Sequence, residues 1–223
     1  MSEGCCVYKV CPLKNGTILG VGTDYKLYSK QNLGSPWQYV HDNSCCIIDI
    51  AEMPNGSLVG VGTNYYLYVK STLYDPWVLA DNNSCCVIAI HVMNNGILLG
   101  VGTNNYLYTK SSLSATWDWV RDGGAGGRCC VKDITQLPDG TLLGVGMDNK
   151  LYTKNNLRDN WRYVHDNTCC VVGVAFIQNR QDVMDANTKT WTIELIEDKQ
   201  TYTDYDASLN PTALKESIRQ SVM

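Results

Sequence analysis

Four loops in this chain gather hydrogen-bonding side chains at a nearly fixed interval: His41-Asp-Asn-Ser44, Asp81-Asn-Asn-Ser84, Arg121-Asp-Gly123 and His165-Asp-Asn-Thr168. Their carboxylates and amides can accept and donate hydrogen bonds, as a hydroxyl-rich ligand requires. Just before each loop stand rings that could supply an apolar wall. The candidate ligand-binding set is therefore Trp37, Tyr39, Asp42, Asn43, Trp77, Asn82, Asn83, Trp117, Trp119, Asp122, Trp161, Tyr163, Asp166 and Asn167. A plainer reading stands beside it. Asp, Asn and Ser turn a chain because their side chains bond the nearby backbone, and a large ring at one place in every copy is a usual packing solution.

Cysteine is the second chemical signal. Adjacent Cys pairs begin at Cys5, Cys45, Cys85, Cys129 and Cys169, and Cys11 stands alone. On a strand, neighbours point to opposite faces, so the pairs are expected to ring the molecule at one height, one sulfur toward each neighbour. Reduced thiols acting as small apolar fillers are the favoured reading, because free Cys is among the most buried residue types. Disulfides between neighbouring units or within a pair are the alternative, limited by Cα separation. A thiolate metal site is the weakest, since the two-residue gap of zinc knuckles is missing.

Catalytic signatures are sparse. The sequence holds no Ser-His-Asp constellation, His-Glu-x-x-His pair or phosphate loop. Its Gly-Val-Gly runs lack the third Gly and the following helix of a dinucleotide fingerprint. The expectation is a protein that is not an enzyme and needs no cofactor or metal.

Internal repetition determines what must position these residues. Gly16 to Thr23, Gly56 to Thr63, Gly96 to Thr103 and Gly140 to Met147 are copies of one segment ending in Gly-Val-Gly-Thr or Gly-Val-Gly-Met. Each is followed by Leu-Tyr, a Lys two residues on, and then Trp37, Trp77, Trp117 or Trp161. The Cys pairs recur at offsets of 40, 40, 44 and 40 residues, the long interval holding the insertion Gly123 to Arg128.

In the second copy, Cys46 to Ala51 reads as a strand buried on both faces, and Pro54-Asn-Gly56 as a tight turn. Ser57 to Thr63, Tyr66 to Lys70 and Trp77 to Asp81 complete four strands. Gly60 and Gly62 strip one face of side chains, which would let a neighbouring sheet approach. Four antiparallel strands per repeat of about 40 residues is the spacing of propeller blades, which must stack to bury their faces.

The expected fold is all-β: a five-bladed propeller over residues 1–208, with blades at about 5–44, 45–84, 85–128, 129–168 and 169–208. Four blades plus a C-terminal appendage is the alternative. Val171 to Phe176 makes a good fifth inner strand, and residues 182–187, 190–197 and 201–206 could supply three divergent ones. Residues 209–223 read as a tail, with a short amphipathic helix from Pro211.

The order Pro-x-Gly-x-Leu-x-Gly-Val, Leu-Tyr-x-Lys and a closing Trp, over about Cys5 to Thr168, resembles the tachylectin and tectonin group of β-propeller lectins. The resemblance implies shallow pockets between adjacent blades, one per blade, that bind N-acetylated sugars. It also implies that the loop from one blade to the next forms part of each pocket. A multivalent lectin of innate-defence type is the resulting expectation, with glycans as partners and repeated weak sites giving avidity. The second class is an intracellular protein-interaction scaffold like the WD-repeat propellers, whose Gly-His and Trp-Asp signatures are missing here.

A net charge of −4 and a pI near 5.3 argue against nucleic acid and anionic membranes, which reward a basic face. No run approaches the roughly 20 apolar residues of a membrane span, and no secretory signal is legible at the start. Those readings give no membrane insertion and a cytoplasmic default.

Overall fold

The computed structural model describes residues 7–41, 46–81, 84–120, 130–164, 170–178 and 191–197. Blade 1 is β1 (Val7–Pro12), β2 (Ile18–Gly22), β3 (Leu27–Lys30) and β4 (Gln38–Tyr39). Blade 2 is β5 (Ile47–Glu52), β6 (Leu58–Gly62), β7 (Leu67–Lys70) and β8 (Val78–Leu79). Blade 3 is β9 (Val87–Val92), β10 (Leu98–Gly102), β11 (Leu107–Lys110) and β12 (Asp118–Trp119). Blade 4 is β13 (Val131–Gln136), β14 (Leu142–Gly146), β15 (Leu151–Lys154) and β16 (Arg162–Tyr163). Each is an antiparallel meander in sequence order. The chain is an all-β propeller with four-stranded blades.

A two-stranded antiparallel sheet, β17 (Val171–Gln178) with β18 (Trp191–Glu197), occupies a fifth position. The inner strands touch in a cycle, β1 to β5, β9, β13, β17 and back to β1. The ring is therefore four full blades closed by this smaller sheet. Of the further strands expected, 190–197 matches β18, whereas 182–187 and 201–206, like the tail from Pro211, lie outside the described residues.

Local chemistry explains the hairpins. Between the first two strands of blade 2, Gly56 takes φ +85, and its N–H donates to Met53 O at 3.0 Å. This is a three-residue loop with one left-handed residue, which glycine adopts without steric penalty. Between the second and third strands, Tyr25, Tyr65, Asn105 and Asn149 hold φ between +61 and +68. That conformation opposes an L side chain by roughly 1–2 kcal/mol, so neighbouring bonds must hold it in place.

Apolar side chains of adjacent blades interlock between the sheets. Leu19, Val21 and Leu27 of blade 1 cluster with Ile47, Ile50 and Leu58 of blade 2, and the arrangement recurs at the next junctions. Toward the axis, the third residue of each inner strand is Lys9, Asp49, Ala89, Asp133 or Gly173. Asp49 Oδ2 accepts from Ile90 N at 2.7 Å and Asp133 Oδ2 from Val174 N at 2.8 Å, each bond reaching the next inner strand. Lys9 Nζ crosses to Asp133 Oδ1 at 2.5 Å. Burial alone would lower the Lys9 ammonium, but Asp133 and Asp49 outweigh it and the net shift is upward.

Candidate functional site

The glycine pair of each second strand is covered by rings of its own blade. A Cβ at Gly100 would stand 2.8 Å from Trp117 Cη2, and one at Gly102 would stand 2.7 Å from Tyr108 Cε2. Trp77 and Tyr68 lie the same way over Gly60 and Gly62, as do Trp161 and Tyr152 over Gly144 and Gly146. The stripped face therefore admits aromatic rings, where the sequence suggested close approach of a neighbouring sheet. The reason is local: the Trp just before the short fourth strand folds back over residues two strands away.

Each Trp ring is also met by the repeated Lys. Lys30, Lys70, Lys110 and Lys154 Nζ sit 5.1, 4.8, 5.6 and 5.1 Å from the rings of Trp37, Trp77, Trp117 and Trp161. Lys110 also donates to Ala115 O. Such desolvated cation–π pairs are worth up to about 2 kcal/mol each. Trp77, Trp117 and Trp161 also pack on the cluster shared with the preceding blade. The packing reading of the Trp repeat is thus correct for part of each ring, and all four stay half-buried.

The Cys pairs depart from the favoured expectation. Cys85 and Cys86 are bonded to each other, and Cys46, Cys130 and Cys170 are disulfide-bonded as well. Joining adjacent sulfurs is incompatible with an extended strand, whose neighbours diverge. Accordingly, Cys46, Cys86, Cys130 and Cys170 sit just before the first strand with φ between +78 and +105. Cys86 N donates to Tyr65 O of the preceding blade at 3.0 Å, and Cys86 O accepts from Thr103 N of its own blade at 2.9 Å. Cys46, Cys86 and Cys130 each make such a junction between blades, and the same bonds hold the left-handed turn residues Tyr25, Tyr65 and Asn105. Cys11 is a buried free thiol, pushed up to about 12 by burial and then by Asp49 and Glu52.

These parts enclose a shallow pocket of about 190 Å³ lined by Cys85, Cys86, Val87, Thr103, Asn104, Tyr108 and Trp117. Its lining combines the disulfide, the two rings and the polar side chains of Thr103 and Asn104. Trp117 Nε1 donates to Ser84 O at 3.3 Å, tying one ring to the linker from blade 2. The repeat supplies equivalent positions in the other blades: Thr63, Asn64, Tyr68 and Trp77; Met147, Asp148, Tyr152 and Trp161; and Thr23, Asp24, Tyr28 and Trp37.

Of the sequence candidates, Trp117 lines this pocket, and Trp37, Trp77 and Trp161 hold the equivalent places. Tyr39 packs against Tyr28 with centroids 5.7 Å apart, Tyr163 against Tyr152 at 5.7 Å, and Trp119 against Tyr106 at 6.1 Å. Asp42, Asn43, Asn82, Asn83, Asp122, Asp166 and Asn167 lie outside the described residues. Sequence reasoning missed Cys85, Cys86, Thr103, Asn104 and Tyr108 as lining residues. The signal was present in the Thr-Asx step after Gly-Val-Gly and in the Leu-Tyr pair, both repeated in register with the Cys pairs.

Among the described residues no group of three or more His, Cys, Asp or Glu side chains could hold a metal ion, and no helix is long and apolar enough to cross a membrane. His91, half-buried on β9, accepts from Gln136 N at 3.2 Å through Nε2. Burial lowers it to about 4.

No protein-family model matches the chain, and no curated protein matches it. A solved structure of a candidate gluconolactonase is similar at TM-score 0.56 and 12% identity, over 75% of this chain and 66% of its own. YCF48 from Cyanidioschyzon merolae is similar at TM-score 0.51 and 11% identity, over 80% and 62%. The extracellular domain of a candidate one-component system from B. thetaiotaomicron is similar at TM-score 0.50 and 17% identity, over 78% and 24%. The chain thus spans two thirds or less of the length of these structures.

At such identities the likeness shows the fold alone. It corrects one expectation. The lack of familiar catalytic motifs suggests no enzyme, yet this fold is shared with a protein described as a candidate gluconolactonase. A propeller can position reacting groups on loops at its rim, where linear motifs do not form, so that exclusion does not stand.

Proposed function

We propose that the chain is a multivalent carbohydrate-binding propeller of the tachylectin and tectonin kind, with one shallow pocket on each four-stranded blade. The observation that carries this reading is the pocket at Cys85 and Cys86, where apolar and polar groups meet in one small concavity. The disulfide and the Trp117 and Tyr108 rings offer flat, polarisable surface to the C–H face of a sugar. Asn104 and Thr103 supply amide and hydroxyl partners for its oxygens. N-acetylated sugars remain the expected class on the resemblance.

One pocket of this size gives weak affinity, and four on a rigid ring give avidity toward a clustered glycan. The test is a glycan array followed by inhibition with free monosaccharide. Bound glycan displaced at millimolar sugar supports the reading, and silence across the array ends it. The Cys85–Cys86 disulfide is of a kind that an oxidising compartment preserves, which favours secretion by another route as the alternative to the cytoplasmic default.

A second reading, a protein-interaction propeller, draws on a different surface. Val78, Leu79 and Trp119 on the short outer strands of blades 2 and 3 are 60%, 40% and 53% exposed. Large apolar side chains left exposed on outer strands are what such a contact surface would use. Val78→Ser with Leu79→Ser would abolish a protein contact there and leave sugar binding intact.

A further inference from the structure

The pocket position on blade 3 and its sequence equivalents on the other three blades divide into two chemical classes at the residue after Gly-Val-Gly-Thr or its equivalent. In blades 2 and 3 that residue is an asparagine. Tyr66 N and Tyr106 N donate to Asn64 Oδ1 and Asn104 Oδ1 at 3.3 and 3.2 Å. A backbone N–H requires the amide oxygen there, which fixes the amide's orientation. Nδ2 of each Asn then donates to the hydroxyl of Tyr68 or Tyr108, both at 2.9 Å. The tyrosine oxygen is the acceptor, and among the described residues its own hydrogen has no acceptor.

In blades 1 and 4 the direction is reversed. Lys26 N and Lys150 N donate to Asp24 Oδ1 and Asp148 Oδ1 at 3.1 and 3.2 Å. The remaining carboxylate oxygens accept from Tyr28 and Tyr152 hydroxyls, both at 2.8 Å. There the hydroxyl hydrogen is already used, and the exposed groups are acceptors and a negative charge. Lys26 and Lys150 also lie over Tyr39 and Tyr163 at 5.5 and 5.1 Å, so the outer ring of each face is already engaged by a cation. In blade 3 the same position is Tyr106, edge-on to Trp119.

We propose that blades 2 and 3 carry the pair of pockets for a sugar presenting a proton-free acceptor oxygen, a carbonyl or carboxylate, and that Asn64 and Asn104 set this specificity. The free Tyr68 and Tyr108 hydroxyl hydrogens donate to that oxygen. In the other two pockets it would face the Asp24 or Asp148 carboxylate and be repelled. This rests on the sugar-binding reading above and adds which pockets act and on what group.

The experiment follows the tryptophan indole N–H signals of the full chain by two-dimensional NMR, assigned with single Trp→Phe variants. The probes are N-acetylglucosamine, glucuronate and methyl glucoside. Either acceptor-bearing probe is expected to shift the Trp77 and Trp117 signals and leave Trp37 and Trp161 in place. Asn64→Asp with Asn104→Asp should weaken that response about tenfold, the size of one lost hydrogen bond. Asp24→Asn with Asp148→Asn should create a response at Trp37 and Trp161, which a merely structural role would not do. Equal shifts at all four indoles would overturn the division and leave sugar binding standing. No shift with any probe, methyl glucoside included, would remove both.

Discussion

The indole of Trp117 rests on the bare backbone of Gly100, so near that a Cβ there would meet Cη2 at 2.8 Å and Val87 Cγ1 at 2.9 Å. Both neighbours are packed and neither can swing away. Gly100→Ala should therefore destabilise the fold by roughly 1–3 kcal/mol, as overpacking does. Gly34, whose nearest contact would be Asn32 Oδ1 at 3.5 Å, is the control and should tolerate Ala. Urea unfolding midpoints of the two variants check this.

Among the described cysteines, thiol chemistry should find Cys11 alone reactive, and only after unfolding. Cys11 is buried and its thiol is pushed up to about 12, so almost no thiolate exists near neutral pH. Alkylation in denaturant without reductant, read by digestion and peptide mass, should label Cys11 and leave Cys46, Cys85, Cys86, Cys130 and Cys170 unlabelled. A label on any of those paired cysteines would show that its pair is open.

Removing Lys9 should strand buried charge. Asp49 and Asp133 are 5% and 3% exposed, and Lys9→Met leaves their carboxylates without the cation. Breaking a buried pair from one side typically costs about 3–5 kcal/mol. Lys9→Met combined with Asp133→Asn should recover part of the loss, and a double-mutant cycle in urea measures the coupling.

Two buried groups should act oppositely on stability as pH changes. His91 is lowered from 6.5 to about 4 by burial, so its contribution is full above 6.5 and is lost as pH falls toward 4. The linkage is at most about 3 kcal/mol, less because the ring keeps some solvent contact. Asp49 is raised from 3.8 to about 6, by burial more than Lys9 opposes it. Its contribution is full below about 4 and is lost as pH rises through 6. In unfolding series from pH 4 to 7.5, His91→Gln should flatten the acid side and Asp49→Asn the neutral side.

Much of the fold was legible because the repeat is nearly exact in its apolar and glycine positions. The positions of Ile47, Leu58, Val61 and Leu67 are buried and apolar in all four full blades, and the four-strand reading follows from their spacing. The place of Cys46 was not legible. A β-rich context argues for extended backbone, and nothing in the residue type announces a positive φ held by a bond to the preceding blade. The pocket was half legible. Trp117 was identified by its type and interval, whereas Tyr108 and Asn104 looked like strand and turn residues. Their convergence depends on the ring folding back over Gly100 and Gly102, a tertiary event with no linear signature.

The cluster of Lys9, Asp49 and Asp133 gives each copy in the ring an address. Five identical charged residues could not share one small space, so the tandem units had to diverge at their third inner-strand residue even while their outer parts stayed alike. Exchanging the first and third units would set Ala where Asp133 needs its counterion and Lys where only a methyl group fits. The Lys9, Asp49 and Asp133 side chains thus tie the first, second and fourth units to their places in the ring.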